Sequence, residues 1–174
     1  MAVLHEFIVE VDKYLATPKR IVGATSSPLW QEGREIGGDS LEIKLPIEVN
    51  GEQHETQKFI VSAFPNADEL IFSIGITFQW SVCRLDYDLD RPHSNAGYPI
   101  SPGIPVIVMG NHYHPWSENR GLIKDISRPF ELHVAVPLDV HIRQFDAALR
   151  WFCQQNNIEL TDHQIELPSR TRLL

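Results

Sequence analysis

The chain has 174 residues, 43% of them apolar and 22% charged, which suits one soluble globular domain with a sizeable core. Its formal net charge of −8 argues against a general nucleic-acid coat protein, which would be basic. The longest apolar run falls far short of the ~20 residues a membrane span needs.

Residues 3 to 16 place Leu4, Phe7, Ile8, Val11 and Leu15 at helical spacing, and Pro18 ends the run, so an amphipathic helix is expected. Glu6, Glu10 and Asp12 interrupt its apolar pattern, unlike a secretory signal, and a cytoplasmic location is expected. The stretch from Arg20 to Gly37 mixes Gly, Ser and Pro with Trp30 and reads as a short strand at Ile21-Val22 followed by a loop. Leu41, Ile43, Leu45, Ile47 and Val49 then alternate with Glu42, Lys44, Pro46 and Glu48. That is a half-buried strand, and Pro46 suggests an edge position. Asn50-Gly51 supplies the positive φ angles of a tight hairpin turn, with a return strand over Glu55 to Phe64.

Leu70 to Phe78 is apolar on both faces and reads as a central strand. Over Trp80 to Leu89, Cys83, Leu85, Tyr87 and Leu89 would face the core, and Arg84, Asp86, Asp88 and Asp90 would form a charged row on the other face. Four prolines and two glycines between Pro92 and Pro105 mark an irregular loop. A strand is expected over Val106 to His114, a polar loop over Pro115 to Arg128, and a further strand over Phe130 to Val136. Leu138, Ile142, Phe145, Leu149 and Phe152 predict a second helix, ending near Asn156-Asn157, with a polar, partly ordered tail over 158 to 174. The order helix, antiparallel strands, helix gives a single α+β domain in which two helices cover one face of a meander of five to six strands. Cys83 and Cys153 lie among apolar neighbours and read as buried free thiols.

The chemistry-bearing stretch is Gly110-Asn111-His112-Tyr113-His114-Pro115-Trp116, where the chain leaves the apolar run Ile104 to Met109. In a strand, residues i and i+2 share one face, so His112 and His114 point the same way. If the strand of Arg84 to Asp90 lies beside them, acid and imidazole converge at the sheet edge. One use of the pair is metal-free cleavage of RNA. One ring would take the ribose 2′-hydroxyl proton, the other would protonate the leaving oxygen, and Arg84, Asp86 and Asp88 would assist. Asn95, Trp116, Asn119 and Arg120 are then candidate substrate contacts, Trp116 by stacking on a base. The other use is a zinc or manganese site, in which Asp88, Asp90 or His93 joins the two imidazoles and a water occupies the open position. The plainer readings are histidines bonded to backbone at a strand end, a solvated carboxylate row, and turn chemistry at His93-Ser94-Asn95.

The segment Arg84 to Arg128 holds five basic residues and five acidic ones, so the flanks carry the whole of the −8. Those flanks, with exposed Trp30 and Trp116, would suit a non-catalytic inhibitor or immunity-type factor with a basic protein partner. Phosphate-cradling, dinucleotide and serine-elbow motifs are absent from the sequence.

Arg84-Leu85-Asp86, followed by His93-Ser94-Asn95 and then Gly110-Asn111-His112-Tyr113-His114, resembles small bacterial proteins of the toxin–antitoxin type, in which an Arg-x-Asp strand precedes a His-x-His strand. The resemblance covers about a third of the chain. It implies an RNA-directed toxin or phage-defence protein, paired with an antitoxin, with Arg84, Asp86, His112 and His114 as the carried-over positions.

Overall fold

A computed structural model describes residues 2–23, 30–33, 40–160 and 165–168. Helix α1 spans Ala2–Ala16 and is followed by β1 (Lys19–Ile21) and β2 (Gln31–Glu32). The meander is β3 (Leu41–Val49), β4 (Glu52–Ala63), β5 (Phe72–Phe78) and β6 (Trp80–Tyr87). Then come β7 (His93–Ser94), β8 (Ile107–Val108), β9 (His112–His114), α2 (Trp116–Asn119), β10 (Val136–Pro137), α3 (Phe145–Gln155) and β11 (Ile158–Glu159). The main sheet runs β10-β9-β6-β5-β4-β3-β1-β11, with β2 also on β3, while β7 and β8 form a separate two-stranded sheet. This is the expected α+β architecture, with more and shorter strands than the periodicity suggests. No described helix is long and apolar enough to cross a membrane.

The β3–β4 hairpin turns at Asn50 (φ 53°) and Gly51 (φ 85°), the pair of positive angles that favours Asn-Gly at this kind of turn. The even-numbered apolar residues of β5 and the odd-numbered ones of β6 face the two long helices. Phe59 meets Phe152 of α3, and Phe78 meets Phe7 and Tyr14 of α1. Phe59, Ile74, Leu85, Val11 and Phe152 are wholly buried in this one core. Cys83 and Cys153 are buried free thiols, as expected.

Several expectations are corrected. Pro46 is not at an edge, because β3 lies between β4 and β1. The missing N–H is accommodated at an irregularity in the β3–β4 register between Pro46 and Glu48, and the Pro46 carbonyl accepts from Val22 N–H. The apolar run before the histidine pair is not one buried strand. Gly110 (φ +70°) breaks it, and Val106, Ile107 and Met109 are exposed. The Pro-rich loop carries β7, which pairs with β8. The polar loop after it opens with α2.

The helix expected from Leu138 begins only at Phe145, since Asp139 accepts the His141 N–H and its carbonyl the Ile142 N–H, closing a turn first. Of the strand expected over Phe130 to Val136, only Val136 joins a ladder. Trp116, expected at the surface, is buried, and its indole N–H donates to Asp12. Trp80 and Trp151 are half-buried. In the tail, Ile158 and Glu159 pair in parallel with β1 and Ile165 is buried. Residues 161–164 and 169–174 of the tail, and 24–29 and 34–39 of the early loop, lie outside the described residues.

Candidate metal centre

The ladder between β6 and β9 sets the site. Arg84 lies opposite His114, Leu85 opposite Tyr113, and Asp86 opposite His112. Alternation sends Leu85 and Tyr113 into the helix-covered core, where the Tyr113 ring meets Trp151 and Phe152 and its hydroxyl donates to Asn156 Oδ1. Arg84, Asp86, His112 and His114 therefore share the other face. That face is also covered. His93 of β7, bonded to the His133 carbonyl, lies against both rings, and His112 is 3% and His114 0% exposed.

His93, on β7, completes a cluster of three imidazoles. Its ring centroid is 5.1 Å from that of His112 and 4.7 Å from that of His114, and the last two are 5.1 Å apart. One nitrogen from each ring lies within 4.8 Å of the others. A tetrahedral zinc ion with bonds of about 2.1 Å wants its ligand atoms about 3.4 Å apart. His93 is the half-buried ring of the three and lies on a two-residue strand.

The outer nitrogens are already committed. His93 Nε2–H donates to the His133 carbonyl at 2.8 Å, and His112 Nδ1–H donates to the Gly110 carbonyl at 2.7 Å. Those bonds fix the tautomers and leave lone pairs on His93 Nδ1 and His112 Nε2. An imidazole whose second N–H is held by a main-chain carbonyl is the usual metal-ligand arrangement. Gly110 is required here twice over. Its φ is positive, and a Cβ would lie 3.2 Å from the Leu89 carbonyl oxygen.

His114 differs. Its Nε2 is 3.3 Å from Asp86 Oδ2, and its buried Nδ1 has no hydrogen-bond partner. With the proton on Nε2, toward the carboxylate, Nδ1 keeps a bare lone pair. A buried polar atom without a partner costs about 1–3 kcal/mol and calls for an occupant.

Asp86 is the electrostatic hinge of the cluster. Its Oδ2 accepts from Arg84 through Nε at 2.9 Å and Nη2 at 2.8 Å, and lies 3.4 Å from His112 Nε2. Burial alone would raise its pKa. Contact with the His112 and His114 rings and the Arg84 charge outweigh burial and hold the carboxyl well below the usual carboxylate range. Burial, with the charges of Arg84 and His112, pushes the His114 pKa down against the pull of Asp86, which keeps that ring neutral and able to ligate.

A cavity of about 480 Å³ opens beside the cluster. Arg84, Asp86, Asp88, Arg91, His93 and His112 line it together with Phe64, Ala67, Ile71 and Ser73. Arg84 and His93 also border a second cavity of about 420 Å³, reaching Tyr98 and His133.

The sequence-predicted residues divide accordingly. Arg84, Asp86, His112, His114 and His93 come together, and Asp88 lines the cavity beside them. Asp90 is exposed and lines none of the cavities described here. Asn95 and Asn119 are buried and spend their amides on backbone. Asn95 bonds to Pro105 and to both polar groups of Ala135, and Asn119 to Pro115 and to both polar groups of Val134. They serve as clamps on the chain that carries the His133 carbonyl, with no face left for substrate. Trp116 is in the core, and Arg120 pairs with Asp12 at 2.6 Å on α1. Sequence reasoning assigned no role to His133, whose contribution is a main-chain carbonyl and so has no residue-type signature. It also passed over Arg91 and the apolar residues Phe64, Ala67 and Ile71, which only the fold brings to the cluster.

No family model matches the chain, and no curated protein or solved structure matches it.

Proposed function

We propose that this chain is a metal-dependent hydrolase in which His93, His112 and His114 hold one divalent ion of the zinc class. The observation that carries this reading is the protonation pattern of the three rings. Two have their outer N–H fixed on main-chain carbonyls, and the third has a buried nitrogen with no partner. Imidazole donors suit zinc, and three of them leave a fourth position for water. Asp86, already holding Arg84, orients His114 through its Nε2–H and offsets the charge of the ion. The water would face the 480 Å³ cavity, which is the size of a small-ligand site.

Metal-free division of acid and base work between His112 and His114 has less support. Both rings are almost fully covered, and both turn toward the same carboxylate oxygen rather than toward solvent.

The test is calorimetric titration of chelator-stripped protein with zinc, together with elemental analysis. One zinc per chain is expected, with none retained by a His93→Ala and His112→Ala double variant. Absence of stoichiometric zinc in the wild-type chain would overturn the reading.

A further inference from the structure

The metal-hydrolase reading leaves the substrate open, and the cavity narrows it. We propose that the centre acts on a small phosphodiester monoanion bearing an apolar group, with Arg91 as the residue that receives its charge. This rests on the metal-centre reading above.

Arg91 is exposed, lines the cavity, and makes no ion pair or hydrogen bond among the described residues. Other arginines are committed: Arg20 to Glu48, Arg84 to Asp86, Arg120 to Asp12 and Arg128 to Asp125. A planar guanidinium with its donors unspent is matched to the paired oxygens of a phosphate. The same cavity is lined by Phe64, Ala67 and Ile71, which are half-buried and carry no charge. A ligand that fills this space carries both an anionic and an apolar group.

The lining selects a single negative charge. The unspent Arg91 guanidinium favours an anion over a neutral ester, and the carboxylates of Asp86 and Asp88 on the same lining disfavour a dianionic monoester. The −8 of the whole chain works against a long polyanion, so a small diester is favoured over RNA. The reaction balances without a co-reactant. The water oxygen forms a new bond to phosphorus, the bond from phosphorus to the apolar alcohol's oxygen breaks, and a water proton ends on that leaving oxygen.

The experiment uses the full chain loaded with zinc, and diphenyl phosphate, dimethyl phosphate and triphenyl phosphate as probes in calorimetry, with bis(4-nitrophenyl) phosphate as the chromogenic substrate. Diphenyl phosphate is expected to bind at least about tenfold more tightly than dimethyl phosphate or the neutral triester. Arg91→Met should weaken diphenyl phosphate about tenfold and raise KM for the chromogenic diester, with kcat and zinc stoichiometry unchanged. Ile71→Ser should weaken diphenyl phosphate and leave dimethyl phosphate as it was. Zinc binding with no preference for diphenyl phosphate, or with no effect of Arg91→Met, overturns the substrate assignment alone. Single-stranded RNA cleaved in preference to the chromogenic diester also overturns it. Failure to bind zinc removes the metal centre and this inference together.

Discussion

Asp86 stands directly across the β6–β9 ladder from His112, with Oδ2 3.4 Å from Nε2 and 3.3 Å from Nε2 of His114 two residues on. One carboxylate oxygen thus accepts from the Arg84 guanidinium and from His114, and lies beside the His112 ring. Replacing it with Asn keeps the shape and removes the charge. Asp86→Asn is expected to lower zinc affinity by about 10- to 100-fold, the usual cost of losing an orienting carboxylate. Competition against a chromogenic chelator measures it. Wild-type affinity in the variant would mean that the imidazoles orient themselves.

His93 offers the cleanest separation of ligand from scaffold. It is half-buried on the two-residue β7, whereas His114 is fully buried and its removal would leave a void. His93→Ala should change the stability of the metal-free protein by less than about 1 kcal/mol. It should also abolish the rise in Tm that zinc produces in the wild type, since only a ligand that binds the native state shifts unfolding. Thermal melts with and without zinc decide the matter. An undiminished zinc-induced shift in the variant would remove His93 from the ligand set.

Much of this frame was legible in local pattern. Asn50-Gly51 announced its turn, and the two-residue spacing of His112 and His114 put both rings on one face, because alternation and turn chemistry are properties of neighbouring residues. What converges on that face was less legible. His93 arrives from a strand of two residues that exists only because β8 pairs with it. The apolar run before His112 resembled a buried strand, yet Val106, Ile107 and Met109 are exposed, and Gly110 was the one local sign of the break. Asn95 and Asn119 looked like surface contacts because an amide that replaces a missing strand ladder has the same composition as one that binds a ligand.

Those two clamps carry the next prediction. The chain over 131–135 makes no ladder of its own, and Asn119 supplies both polar groups of Val134 with a partner, as Asn95 does for Ala135. Asn119→Ala strands a buried N–H and a buried carbonyl. A loss of about 2–4 kcal/mol is expected in urea unfolding. Zinc affinity should also fall, because the His133 carbonyl that fixes the His93 tautomer rides on the same segment. A variant as stable as wild type would mean that the segment is held by packing alone.

The alkaline limb of stability should carry the signature of Lys19. Its ammonium is buried between the carbonyls of Leu15 and Asn156, over the Tyr14 ring, and burial lowers its pKa from 10.5 to about 8. Between those values the unfolded chain binds more protons than the folded one, so stability rises as pH rises. The thiols act in the opposite sense. Burial raises Cys83 from 9.0 to about 11 and Cys153 to about 12, so above pH 9 the unfolded thiols ionise first and stability falls. The rise is therefore confined to about pH 8 to 9 and amounts to about 1 kcal/mol. Lys19→Met should remove it while leaving the decline above pH 9. Urea unfolding across that range checks both parts. A wild-type protein whose stability falls steadily from pH 8 would show that Lys19 keeps its ordinary pKa in the fold.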